Sequence, residues 1–335
     1  MQLILPTGRG RARDDSLKMC ADQILELNKQ SSQKMSSRGW CYFVEGFNLL
    51  SKGDFNKFQD VFNECRKKGY LPIDIVASDP KRTWVGVELP NSESPEQYLK
   101  RWLEGADMAQ EYYTPDWWDG EEYYIQMMVE KIDLVHMFSP LCAEYHIPIV
   151  NAGGWYDILE RSESANRFLE AEDNGLTPII LYFGDLDPWG IAISDFLHKG
   201  FEDIEVGTGW SPISLEVNRF GLSYDFIQDN HLTWIDNLVS GSGKDMSLMT
   251  NKIAVEYVAK YGVRKCEANA VMRLSARDAT IQLCRNTIES YLGADVKDRF
   301  AGKREAIRDR LAKFKGDTGL DVALSKALSL ISSID

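Results

Sequence analysis

Apolar residues recur at helical spacing in the first third of the chain and in short unbroken runs in the middle third. Leu17, Cys20, Ala21, Ile24 and Leu27 share one face of a 3.6-residue repeat and predict a helix over 15–35. Ser36 and Ser37 supply an N-cap for a second helix, 38–50, which Ser51-Lys-Gly-Asp54 interrupts. Phe55, Phe58, Val61, Phe62 and Cys65 predict a third helix, 55–68, ended by Gly69. Residues 72–77 and 82–89 read as two short strands around a turn at 78–81. Three helices and a small hairpin, with Arg66, Lys67, Lys68, Lys81 and Arg82 near its end, form the layout of a winged helix-turn-helix. Those five cations are its candidate DNA contacts.

Beyond a linker at 91–95 and an aromatic bridge at 112–118, strand and helix patterns alternate. Strands are predicted at 123–129, 147–151 and 178–183, with helices at 132–145, 163–174 and 191–197. That alternation is the signature of a parallel sheet with crossover helices. Helices are predicted again over 248–261, 268–291 and 296–315. The reading is an α/β protein in three parts: 1–110 winged-helix, 111–245 parallel-sheet α/β, and 246–335 helical.

Composition narrows the classes. No apolar run approaches the roughly 20 residues of a membrane span, and the first residues lack the pattern of a secretory signal, so the expectation is a cytoplasmic protein without membrane contact. Six cysteines are scattered without metal-ligand spacing, which predicts buried free thiols rather than zinc. The net charge of −13 argues against nucleic acid until its distribution is read. Residues 1–100 carry a net +2, residues 101–200 a net −14, and the remainder −1. An acidic centre flanked by near-neutral segments fits metal-dependent phosphate chemistry, with DNA held elsewhere. The last predicted helix interleaves its cations with acids, which is the pattern of a salt-bridged exposed face.

The candidate chemistry sits at strand ends. The run Ile180-Leu-Tyr-Phe183 leads into Gly184-Asp-Leu-Asp-Pro-Trp-Gly190, delivering Asp185 and Asp187 into a turn. Strand alternation would put both carboxylates on one side, and like charges held that close call for a divalent cation. Glu130, at the end of the first strand, would meet them at the carboxyl edge of the sheet, where ligands of parallel sheets bind. Three acids there make a hard oxygen site for Mg²⁺. Lys131 reads as surface, Asp133 as a first-turn acid favoured by the helix dipole, and Glu267 as a helix-start acid.

Glu130-Lys131, followed some 55 residues later by the Asp-x-Asp turn, resembles a Toprim domain, the metal-binding unit of topoisomerases, primases and related nucleases. Arg38-Gly-Trp-Cys-Tyr42 is similar to the Arg-x-x-aromatic-Tyr motif of the topoisomerase VI A subunit and the meiotic double-strand-break transesterases, with Cys41 replacing the usual aromatic residue. Residues 217–223 and 261–270 resemble later segments of that family. The segment Ala152-Gly-Gly-Trp-Tyr-Asp157 departs from the family's Gly-Tyr-Pro-Asp and is closer to short bacterial and phage single-chain relatives.

The resemblance implies a winged-helix domain ahead of a Toprim domain, and Mg²⁺ held by Glu130, Asp185 and Asp187. It implies cleavage of double-stranded DNA by Tyr42, with Arg38 on the scissile phosphate. It also implies a homodimer, a nucleoid location, and a separate ATPase partner for any strand passage. Two alternatives stand beside it: a hydrolytic Toprim nuclease that uses water and forms no covalent intermediate, and a DNA-binding scaffold without activity.

Overall fold

The computed structural model describes residues 1–335 except 1, 2, 4, 7, 8, 32, 78–91, 153–157, 240–242, 244 and 333–335. Its contacts group the chain into two compact units, 1–79 with 121–291 and 80–120 with 292–335. The expected winged-helix segment 1–110 thus contributes to both.

The larger unit begins with α1 (Arg11–Asn28), α2 (Ser37–Gly46) and α3 (Phe55–Lys67). The helical spacing buries the residues it predicted: Leu17, Cys20, Ala21, Ile24 and Leu27 on α1, and Phe55, Phe58, Val61, Phe62 and Cys65 on α3. The Ser36 side chain caps α2 by accepting the Gly39 N–H at 3.1 Å. After α3, Gly69 takes the left-handed backbone (φ +74°) that ends a helix without a Cβ penalty. Trp40 packs edge-on to Phe43 at 5.5 Å between ring centroids and lies 5.6 Å from Phe62, which joins α2 to α3.

Residues 72–77 form no strand. Their ladder is a single bridge between Met35 and Val76, closed by the Ala77 N–H on the Met35 carbonyl at 2.9 Å. The Trp40 indole takes the Ile75 carbonyl, so that acceptor serves the helical core rather than a sheet. The second expected arm, with Lys81 and Arg82, lies outside the described residues.

The remainder of this unit is mixed α/β, built on a four-stranded sheet of order β2-β1-β3-β4 in which every pair is parallel. The strands are β1 (Tyr123–Val129), β2 (Ile149–Asn151), β3 (Thr177–Phe183) and β4 (Glu216–Gly221). β1 and β3 are buried almost throughout, which explains why they read as continuous apolar runs rather than alternating ones. Helix Ile132–Glu144 carries the chain from β1 to β2, and helix Ile158–Asp173 carries it back across β1 to β3. The direction of winding therefore reverses between β1 and β3, opening a crevice at their carboxyl ends. The polar strand β4 has no such run and was not anticipated.

Helices Ile193–Glu202, Lys252–Tyr261 and Leu274–Leu292 and the buried 3-10 turn Ala268–Met272 are among its further elements. The six cysteines are buried and unbridged. The smaller unit holds helices Pro95–Asp107, Val296–Thr318 and Leu320–Ile331. A capping box at Ser94 and Gln97 starts the first helix, and Trp117 stacks 4.6 Å from Phe300. Among the described residues, no helix is long and apolar enough to cross a membrane.

Candidate active site

Val129 and Phe183 are partners in register at the ends of β1 and β3, and the Glu130 N–H donates to the Phe183 carbonyl at 3.1 Å. Glu130 and Asp185 therefore leave the sheet side by side at the crevice. The Asp185 N–H donates to Glu130 Oε2 at 2.7 Å. Lys131 Nζ bridges the two carboxylates, 2.6 Å from Glu130 Oε1 and 3.1 Å from Asp185 Oδ2. Asp185 Oδ1 accepts the Ala268 N–H at 2.7 Å. Lys131 is thus an ion-pair partner, not the surface charge the sequence suggested.

β3 ends at Phe183, so turn geometry rather than strand alternation sets the directions of the two aspartates. Asp187 caps the short helix Pro188–Ile191, its Oδ1 accepting the Gly190 N–H at 2.7 Å. Gly190 is required here: a Cβ would fall 2.1 Å from the Asp185 carbonyl oxygen. Arg219 of β4 staples the turn, donating to the carbonyls of Gly190 at 2.7 Å, Asp185 at 3.0 Å and Leu222 at 2.9 Å.

This packing sets the electrostatics. Burial, reinforced by the Glu130 charge, pushes the Asp185 carboxyl up to about 7. Burial also raises Asp187. For Lys131, burial disfavours the charge, but Asp185 and Glu130 outweigh it and hold the ammonium above the ordinary lysine range.

A second cluster adjoins the first through one peptide link, because Glu267 precedes the Ala268 that donates to Asp185. Glu267 makes no cap to the turn that follows it. Its carboxylate instead accepts the hydroxyl proton of Tyr42. Lys52 Nζ donates to the same phenol oxygen at 2.9 Å, and the Arg38 guanidinium lies 3.7 Å from Glu267 Oε2. Tyr42 is fully buried, with its ring edge-on to Phe55 at 5.0 Å. Burial and the Glu267 carboxylate push its hydroxyl far above the ordinary tyrosine value. Burial opposes ionisation of Glu267, yet the Tyr42 hydroxyl, Lys52 and Arg38 hold its carboxyl below the usual range.

Asp133 ties the two clusters together. Its buried carboxylate accepts the Ser36 N–H at 2.5 Å, the Ser36 hydroxyl at 2.6 Å and the Asn269 amide at 2.9 Å. It therefore holds the start of α2, where Arg38 and Tyr42 reside, against the 268–272 turn. That work differs from the helix-dipole role expected of a first-turn acid.

The structure brings Tyr42, Arg38, Glu130, Asp185 and Asp187 into one region; of the candidate DNA contacts, Lys81 and Arg82 lie outside the described residues and, within them, Arg66, Lys67 and Lys68 make no contact with that region. Arg66 is spent on the Ile73 carbonyl at 2.7 Å and on Asn63, Lys68 pairs with Asp14 at 2.7 Å, and Lys67 is exposed. Lys52, Arg219 and Asn269 were not singled out as site residues, although Arg219 and Asn269 lie in the segments 217–223 and 261–270 that resemble later parts of the family. Their roles arise from contacts 10, 34 and 136 residues away along the chain.

Among the described residues, no three His, Cys, Asp or Glu side chains are grouped as a ready metal-ligand cluster. The donors nevertheless suit a hard divalent cation: Glu130 and Asp185 present carboxylate oxygens so crowded that one is pushed toward protonation and both lean on an ammonium. Compared with known proteins, the chain matches no family model and no curated protein.

Proposed function

We propose that this protein is a Mg²⁺-dependent DNA-cleaving enzyme of Toprim type, resembling the topoisomerase VI A subunit, with Tyr42 as nucleophile. The observation that supports the reading is the Glu130–Asp185 carboxylate pair at the β1/β3 crevice, one peptide link from the Tyr42–Glu267 hydrogen bond. Glu130, Asp185 and Asp187 would hold the cation, which when bound neutralises charge on the scissile phosphate. Glu267 accepts the Tyr42 proton as the phenol oxygen attacks phosphorus. The bond from phosphorus to the 3′ oxygen breaks, that oxygen gains a proton, and Tyr42 stays joined to the 5′ end. Arg38 and Lys52 offset the charge gathered around Glu267 and the phosphate. In this reading the winged helix is the N-terminal helical segment, double-stranded DNA is the substrate, and a homodimer supplies two such centres.

A second reading, hydrolysis by water at the same carboxylates, draws support from the full burial of Tyr42 and its tethered hydroxyl. The two separate in one experiment. The protein is incubated with supercoiled DNA and Mg²⁺, denatured, and the cleaved ends are examined for attached protein. Adducts lost in Tyr42→Phe support transesterification. Free ends that persist in Tyr42→Phe and vanish in Asp185→Ala support hydrolysis. DNA binding without cleavage in the unaltered protein refutes both and leaves a scaffold.

A further inference from the structure

We propose that Lys131 is an internal counterion that occupies the Glu130–Asp185 pair and that a divalent cation must displace, so that cation entry and lysine departure are one event. The inference rests on the carboxylate reading above and adds a competitor to it. A single ammonium lies 2.6 Å from Glu130 Oε1 and 3.1 Å from Asp185 Oδ2, spanning the oxygens that a cation shared by the two would use. A doubly charged ion and an ammonium cannot share those oxygens without strong repulsion in so poorly solvated a place.

The lysine is built to leave. Its residue stands at the N-cap position of helix Ile132–Glu144 but makes no side-chain cap bond, so the helix does not depend on it. Its side chain is 32 % exposed, against 10 % for Asp185, giving the flexible four-carbon stem a path to solvent. Asp185 cannot move in its place, because Oδ1 is fixed by the Ala268 N–H. Neither can the turn behind it, which Arg219 holds through the carbonyls of Asp185 and Gly190.

The test compares full-length wild type with Lys131→Met and Lys131→Arg by calorimetric titration with MgCl₂ at pH 8.5, alongside thermal melts with and without Mg²⁺. Lys131→Met is expected to bind Mg²⁺ about tenfold more tightly, the scale of one close charge pair. It is also expected to melt below wild type without the ion and to recover more on its addition. Lys131→Arg, which keeps a cationic competitor, is expected not to gain affinity. Affinity in Lys131→Met equal to or weaker than wild type overturns the counterion role. Wild-type Mg²⁺ binding that survives Asp185→Ala unchanged overturns the carboxylate reading itself, whatever Lys131 does.

Discussion

Replacing Asp185 by Asn is expected to stabilise the protein at alkaline pH while abolishing Mg²⁺-dependent cleavage. In the folded chain this carboxyl rises from its ordinary 3.8 to about 7, burial being the main cause and Glu130 the second. Below about pH 4 the group is protonated in folded and unfolded chains alike and costs nothing. Between about 4 and 7 the unfolded chain has released its proton and the folded chain has not, so stability falls as pH rises. Above about 7 both are ionised and the full cost stands, ~4 kcal/mol at ~1.4 kcal/mol for each pH unit. Asn keeps an oxygen for the Ala268 N–H but turns its amide N–H group toward the Lys131 ammonium, two donors face to face, which returns ~1–2 kcal/mol of that gain. A net ~2–3 kcal/mol corresponds to a melting point roughly 4–12 °C higher for a unit of this size. The assay is differential scanning fluorimetry of wild type and Asp185→Asn from pH 5 to 8.5 without divalent ions. The variant's advantage should grow from pH 5 to about 7 and level off above it. A variant less stable than wild type at pH 8, or an advantage independent of pH, would refute the electrostatic reasoning.

Three further outcomes follow from the same contacts. Asp133→Ala strands three donors, the buried Asn269 amide among them, and should cost ~2–4 kcal/mol in chemical denaturation, with hydrogen exchange quickening first at the start of α2. Gly39→Ala would normally add ~1 kcal/mol to a helix, but its new methyl group falls 2.8 Å from Asp133 Oδ1, so it should destabilise wild type and stabilise the Asp133→Ala protein. A double-mutant cycle that is additive would contradict that contact. Arg219→Met removes the donor to two carbonyls of the aspartate turn, Asp185 and Gly190, and Mg²⁺ binding should weaken by about tenfold or more while β1 and β3 keep their exchange protection.

The sequence by itself determined the elements whose signal is local. Helical spacing of apolar residues set α1 and α3, Ser36 marked the start of α2, and the largely apolar runs at 123–129 and 178–183 marked β1 and β3. Two carboxylates after an apolar run were legible as candidate chemistry because burial and charge conflict wherever they meet. What the tertiary structure decided is everything that depends on distant partners. Residues 72–77 carry β-branched residues yet form no strand, because Met35 and Trp40 claim their backbone groups first. The polar β4 belongs to the sheet only because it pairs with β3, and its Arg219 then secures the aspartate turn. Glu267 looked like a helix-start acid and proves to be the acceptor for Tyr42, 225 residues earlier in the chain. Lys131 looked like solvated charge and bridges Glu130 to Asp185. Periodicity records which face of an element is buried; only the folded chain decides which charges that burial brings together.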